Sequence, residues 1–106
     1  MSESARMNMV EAQIRSNAVS DPRIHAAMGA VAREKFVPSA QKALAYADVP
    51  VEIAPGRFLL DPRSFAKLLQ LAALGADDRV LDVGAGTGYS SAVLARLAGS
   101  VVALEQ

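Results

Sequence analysis

The stretch Val80–Ser91, VLDVGAGTGYSS, sets three glycines at alternate positions, Gly84, Gly86 and Gly88, directly behind a run of strand-forming residues. Glycine tolerates positive φ and has no Cβ, so such a loop lets a ligand approach the backbone closely. An apolar-spaced segment follows from Tyr89, giving the order strand, loop, helix. In that unit the loop is expected to turn its amides toward a ligand at the carboxyl edge of a sheet. Two acids flank the loop. Asp82, two residues before Gly84, puts a carboxylate beneath the loop, suited to a cationic or amine-bearing ligand and ill-suited to a diphosphate. Glu105 ends the next apolar run, where an acid can accept hydrogen bonds from both hydroxyls of a ribose. The spacing G-x-G-x-G also departs from the dinucleotide fingerprint G-x-G-x-x-G, which argues against a nicotinamide dinucleotide. Adenosine joined to a positively charged amino acid satisfies both acids, and S-adenosylmethionine is that molecule. The expected cofactor-binding residues are Asp82, Gly84, Ala85, Gly86, Gly88, Tyr89 and Glu105. The blander reading has the glycines there only to bring a helix close to a sheet, with the strand-end acid solvated.

No other constellation competes. There is no cysteine, which excludes disulfides, zinc thiolates and a cysteine nucleophile. The single histidine, His25, reads as a surface or capping residue, and no metal site is expected. Without a His/Asp or Cys/His pair, a hydrolase is disfavoured. Eleven basic residues balance eleven acidic ones, so nothing attracts nucleic acid or an anionic membrane. No apolar run approaches the length of about 20 residues that spans a bilayer. The N-terminus does not read as a signal peptide, and a cytoplasmic protein is the simplest expectation.

The elements that must position the loop follow from periodicity and punctuation. Met7, Val10 and Ile14 predict a first helix over about residues 4–16. Met7, Met9 and Met28 read as core. Asp21-Pro22 and Asp61-Pro62 each combine an N-cap acid with proline at the first helical position. Ile24, Ala27, Met28 and Val31 form the apolar face of the second helix, and Phe65, Leu68, Leu69 and Ala72 that of the third. Pro38 disfavours the helical region at Val37, and Ser39 is placed to cap a short helix through Leu44. VPVEI and RFLL read as a hairpin around Ala54-Pro55-Gly56. Gly75 is placed to end the third helix in a left-handed conformation. Residues 79–83 and 100–105 read as buried strands joined by a helix over Tyr89–Ala98, which implies a parallel pair.

The block VLDVGAGTGY followed by VVALE resembles the first motif and acidic strand of class I S-adenosylmethionine-dependent methyltransferases. MVEAQIRSNAVSDPRIHAAMGAVAREKFVP and AYADVPVEIAPGRFLLDP resemble the N-terminal region of protein-L-isoaspartate O-methyltransferases. Arg33, Glu34, Phe36, Val37, Pro38, Ala45, Tyr46, Asp48, Pro50, Gly56 and Pro62 carry that resemblance, which spans the chain from about Met9 to Glu105. It implies a methyl transfer from S-adenosylmethionine to a protein or peptide bearing isoaspartate. It also draws attention to substrate-side candidates: Tyr46, Arg57, Phe58, Leu59, Leu60 and Asp61. Read bare, Tyr46 is a core aromatic and Arg57 a solvated turn residue, with a substrate carboxylate as the alternative partner for Arg57. The family hairpin usually reads G-Q-T-I-S-x-P, and its serine is held to act at the active site. Here Phe58 stands at the threonine and Leu60 at the serine, so the catalytic residue is left unknown.

The expected fold is α/β: an N-terminal helical layer followed by the start of a Rossmann-like doubly wound parallel sheet, incomplete in this chain. Residues 1–60 form the helical and hairpin region, and 61–106 the first βαβ unit of the cofactor domain. Two functions stay open. One is an isoaspartate-repair methyltransferase. The other is a catalytically divergent or inactive S-adenosylmethionine-binding relative with a different substrate or partner. A parallel sheet needs more than two strands and helices on both faces, so the chain reads as the N-terminal part of a longer protein. Taken alone it is expected neither to methylate nor to bind cofactor tightly.

Overall fold

The computed structural model describes residues 2–105. Helix α1 (Ser2–Met9) runs on through a π-helical turn at Val10–Ile14 and a tighter one at Arg15–Asn17. The π turn spaces residues five apart, so Met9 and Ile14 share the buried face. Met7, expected in the core, is 47% exposed, with its thioether end lying beside Gly29 of the next helix. The two Asp-Pro signals hold. Asp21 caps α2 (Pro22–Ala30), its carboxylate accepting the Arg23 amide at 2.9 Å. His25 is not on the surface: it is buried on α2 with Nε2 2.6 Å from the Val19 carbonyl.

Arg33–Phe36 and Ser39–Leu44 follow as 3₁₀ turns around Val37, which is extended before Pro38 as the proline requires. Ser39 makes no capping bond; the turn starts from Pro38. Strands β1 (Val51–Ala54) and β2 (Arg57–Leu59) form the antiparallel hairpin, with Val51 opposite Leu59 and an irregularity between Glu52 and Ala54.

Asp61 caps α3 (Pro62–Ala72) by accepting the Ser64 amide at 2.9 Å. The core face of α3 is Pro62, Ala66 and Leu69, whereas Leu68 is 56% exposed because it faces the cleft described below. Ala72, also expected on the core face, is exposed. The helix ends at Ala73, with φ 53°, rather than at Gly75. Asp78 takes the Gly75 amide at 2.7 Å into a separate turn, so the left-handed cap falls two residues earlier. The Gln70 side chain reaches from α3 to the start of α2. Its Oε1 accepts the amides of Ser20 and Asp21 at 2.8 and 3.1 Å, and its Nε2 donates to the Ala18 carbonyl at 2.9 Å.

Strands β3 (Arg79–Val83) and β4 (Ser100–Leu104) pair in parallel, residue by residue from Arg79–Ser100 to Val83–Leu104. Between them α4 spans Tyr89–Leu94, shorter than expected, and tightens as the Arg96 amide bonds the Val93 carbonyl at 3.0 Å. The reason lies at Gly99. The chain crosses the Ala76–Asp77 backbone so closely there that a Cβ would sit 2.7 Å from the Ala76 carbonyl oxygen. Helical geometry gives way to bring that glycine in.

The strands are not buried as their composition suggests. Val80 and Val101 pack on the core, but Leu81, Val83, Val102 and Leu104 alternate onto the other face and are exposed. One apolar core nevertheless runs through both halves of the chain, from Met9, Ile14 and Met28 through Val51 and Leu69 to Val93.

Candidate functional site

The loop after β3 faces the hairpin across an open cleft of about 510 Å³. Gly84, Gly86 and Gly88 all take positive φ, at 72°, 61° and 100°, as the loop was expected to require. The case is tightest at Gly86, where a Cβ would also lie 2.8 Å from Ile53 Cδ1 on the hairpin. The amides are used differently from expectation. Gly84 and Ala85 donate to the Leu104 carbonyl at 2.8 and 3.1 Å, and Gly88 donates to the Ala85 carbonyl at 3.0 Å. Those three N–H groups hold the loop to β4 and to itself. The loop offers a ligand the side-chain-free faces of its three glycines, while three of its amides are spent on its own fold.

Asp82 sits below the loop on the cleft wall. Ser90 and Ser91, in the first turn of α4, both donate their hydroxyls to its Oδ2 at 2.7 Å. That fixes the carboxylate and leaves Oδ1 without a protein donor among the described residues. The sequence reading missed these serines, although two adjacent hydroxyls opening the helix after the loop were the available signal.

Glu105 follows β4 beside a second hollow of about 550 Å³, which shares Arg57, Val83 and Gly84 with the first. Its carboxylate is engaged from the hairpin: Arg57 Nη1 lies 2.5 Å from Oε2, and Nη2 donates to Oε1 at 2.7 Å. Arg57 is thus neither simply solvated nor a turn ornament. Phe58, Leu59 and Leu60 line the first hollow; Phe58 and Leu60 are 59% and 40% exposed there.

Tyr89 closes the cleft floor and is buried between Phe36 and Phe65, with ring centroids 5.8 and 5.7 Å away. Over its face, 4.8 Å from the centroid, lies the guanidinium of Arg33, which is wholly buried. Arg33 Nε donates to the Ala45 carbonyl at 2.5 Å and Nη2 to the Leu60 carbonyl at 2.8 Å. Its Nη1 and the Tyr89 hydroxyl have no hydrogen-bond partner among the described residues. Burial pulls the Arg33 guanidinium below its usual value and pushes the Tyr89 hydroxyl up, the latter opposed by the Arg33 charge. Sequence reasoning noted Arg33 only as part of the family pattern; in the structure it ties the turn before β1, the end of the hairpin and the Tyr89 ring together.

Two expected residues do not join the cleft. Tyr46 is turned to α1, donating its hydroxyl to Glu34 and accepting from the Arg33 amide at 3.0 Å and Arg6 Nη1 at 3.4 Å. Burial and that bond to Glu34 hold its hydroxyl above the usual range. The Asp61 carboxylate serves the α3 cap. Burial would raise it, but the Ser64 amide holds it below the usual carboxylate range.

Residues 4–106 match the protein-L-isoaspartate(D-aspartate) O-methyltransferase family. The chain belongs to this family. It is 45% identical over 103 residues to protein-L-isoaspartate O-methyltransferase 2 of Anaeromyxobacter sp., covering 97% of this chain and 42% of that relative. It is 42% identical over 106 residues to the protein-L-isoaspartate O-methyltransferase of Methylorubrum populi, covering 100% of this chain and 50% of that one. The chain therefore spans about half the length of these curated relatives. Among solved structures it resembles a protein-L-isoaspartate O-methyltransferase from Plasmodium falciparum in complex with S-adenosyl-L-homocysteine. The TM-score is 0.78 at 25% identity, over 94% of this chain and 48% of that one. A second protein-L-isoaspartate O-methyltransferase structure aligns with TM-score 0.74 at 27% identity, over 99% of this chain and 34% of that one.

Membership gives the α/β reading its frame, a helical layer leading into an incomplete Rossmann-like sheet. It also sharpens the hairpin departure. Leu60, expected from the resemblance to stand at the family serine, lines the cleft with a hydrocarbon side chain. Among the described residues no three acids or histidines gather as a metal site, and no helix is long and apolar enough to cross a membrane.

Proposed function

We propose that the protein uses S-adenosylmethionine to methylate the carboxylate of isoaspartyl residues in damaged proteins and peptides. The observation that carries this reading is the shared mouth of the two hollows. Asp82, the glycine loop and the hairpin line one hollow, Glu105 lines the other, and Arg57, Val83 and Gly84 join the two. In this reading Asp82 Oδ1 receives an amine, Glu105 the ribose hydroxyls, and Gly84, Ala85, Gly86, Gly88 and Tyr89 the body of the cofactor. The bound cofactor supplies an electrophilic sulfonium methyl. The accepting carboxylate is already ionised near neutral pH, so the transfer needs no general base. What the chain must supply is alignment and exclusion of water. Phe58 and Leu60 supply apolar cover on the hairpin side. The loss of the family serine is tolerable on that chemistry, because no proton has to be moved there.

Residues 1–60 would then furnish the substrate side and 61–106 the cofactor side. The protein would work in the cytoplasm on polypeptide, with neither nucleic acid nor membrane as partner. Radiolabelled methyl transfer by the full-length protein tests the proposal, with an isoaspartyl peptide set against its normal aspartyl twin. Incorporation into the first alone is expected. Tight cofactor binding with no incorporation into either peptide would sink the repair assignment. Leu60 at the serine position would then favour the alternative, a divergent cofactor-binding relative with another substrate or partner.

A further inference from the structure

We propose that Arg57 and the cofactor ribose compete for Glu105, so that cofactor binding unlatches the hairpin. The inference rests on the cofactor reading above and adds to it a residue that tunes cofactor affinity. Three observations carry it. Arg57 engages Glu105 through both carboxylate oxygens, at 2.5 and 2.7 Å. Two ribose hydroxyls would use the same two oxygens. Arg57 also borders both hollows, so the pair stands where the two join and a cofactor would have to pass it.

The pair joins the start of β2 to the residue that follows β4, and so ties the hairpin to the sheet. Holding it closed pins the hairpin over the seat of the ribose. Opening it frees both the seat and the hairpin turn. The side chains remain 41% and 30% exposed, which caps the strength of the latch. A pair this wet shifts an equilibrium by up to about fivefold, and less in salt. Such a latch delays the cofactor without barring it.

The test is calorimetric titration of the full-length protein with S-adenosylhomocysteine, comparing wild type, Arg57→Gln, Glu105→Gln and the double variant. Arg57→Gln keeps hydrogen-bonding capacity and removes the competing charge. It should bind roughly twofold to fivefold tighter than wild type at low salt, with the gain shrinking toward none at high salt. In the Glu105→Gln background the same change should gain nothing, because nothing is left to compete for. Equal or weaker binding by Arg57→Gln would show that the arginine supports the site instead of occupying it, and would overturn the proposal. A gain that persists without Glu105 overturns it too. If wild type fails to bind the ligand at all, the cofactor reading itself falls and takes this proposal with it. Binding with no Arg57 effect leaves the cofactor reading standing.

Discussion

Around Arg33 the side chains reach across the chain to one another, although Arg33 Nη1 and the Tyr89 hydroxyl stay unpartnered among the described residues. One buried guanidinium serves carbonyls of Ala45 and Leu60 and the ring of Tyr89. Nearby, Tyr46 joins Glu34, Arg6 and the Arg33 amide. Around β3 and β4 the balance reverses. The backbone ladder is complete and in register, yet Leu81, Val83, Val102 and Leu104 stand 51% to 71% exposed. The helical layer is thus specified by side chains and the sheet by backbone. A single change should weigh heavily in the first region and lightly in the second.

The strongest way to press that contrast is Arg33. Arg33→Met removes the buried charge together with its bonds, and leaves the buried Ala45 carbonyl unanswered at about 1–3 kcal/mol. Arg33→Lys keeps a charge that cannot reach both carbonyls and the ring at once, so it should cost more, about 3–5 kcal/mol. Urea unfolding of both variants checks the order. A lysine variant as stable as wild type would mean that the fork geometry is irrelevant. The loop lies between the extremes. Gly86→Ala must place a Cβ at φ 61° against Ile53 Cδ1, costing about 1–2 kcal/mol. Adding Ile53→Val removes that methyl and should recover the contact part but not the dihedral part. Thermal unfolding of the single and double variants separates the two. At the weak end, Leu81→Ser on the exposed face of β3 should change the stability of the 106-residue chain by less than about 0.5 kcal/mol. A larger loss would show that this face is covered in solution by something outside the described residues.

What could be read from the sequence divides along the same line. The Asp21-Pro22 and Asp61-Pro62 starts, the hairpin turn and the three left-handed glycines depend on dihedrals and neighbours within a few residues, so composition reveals them. Gly75 failed as a helix end because Asp78 captured its amide, a choice between two local solutions that spacing does not rank. The burial of β3 and β4 failed because an apolar run reports what a strand can bury, not what lies against it. Asp82 and Glu105 could be singled out as residue types, but Glu105 meeting Arg57 joins positions 48 apart. Arg33 was visible only as one letter of a motif, since its importance comes from three elements converging on it.

Gln70 shows what such long reach does to the order of assembly. The amides of Ser20 and Asp21 obtain their acceptor from a side chain 50 and 49 positions away, and the Ala18 carbonyl its donor from 52. Closing a loop of that size costs chain entropy before any contact repays it. The hydrogen bonds at the entry to α2 are therefore completed only when α3 is in place. The two helices that begin with the same Asp-Pro signal, and look like independent local starts, are joined by one side chain.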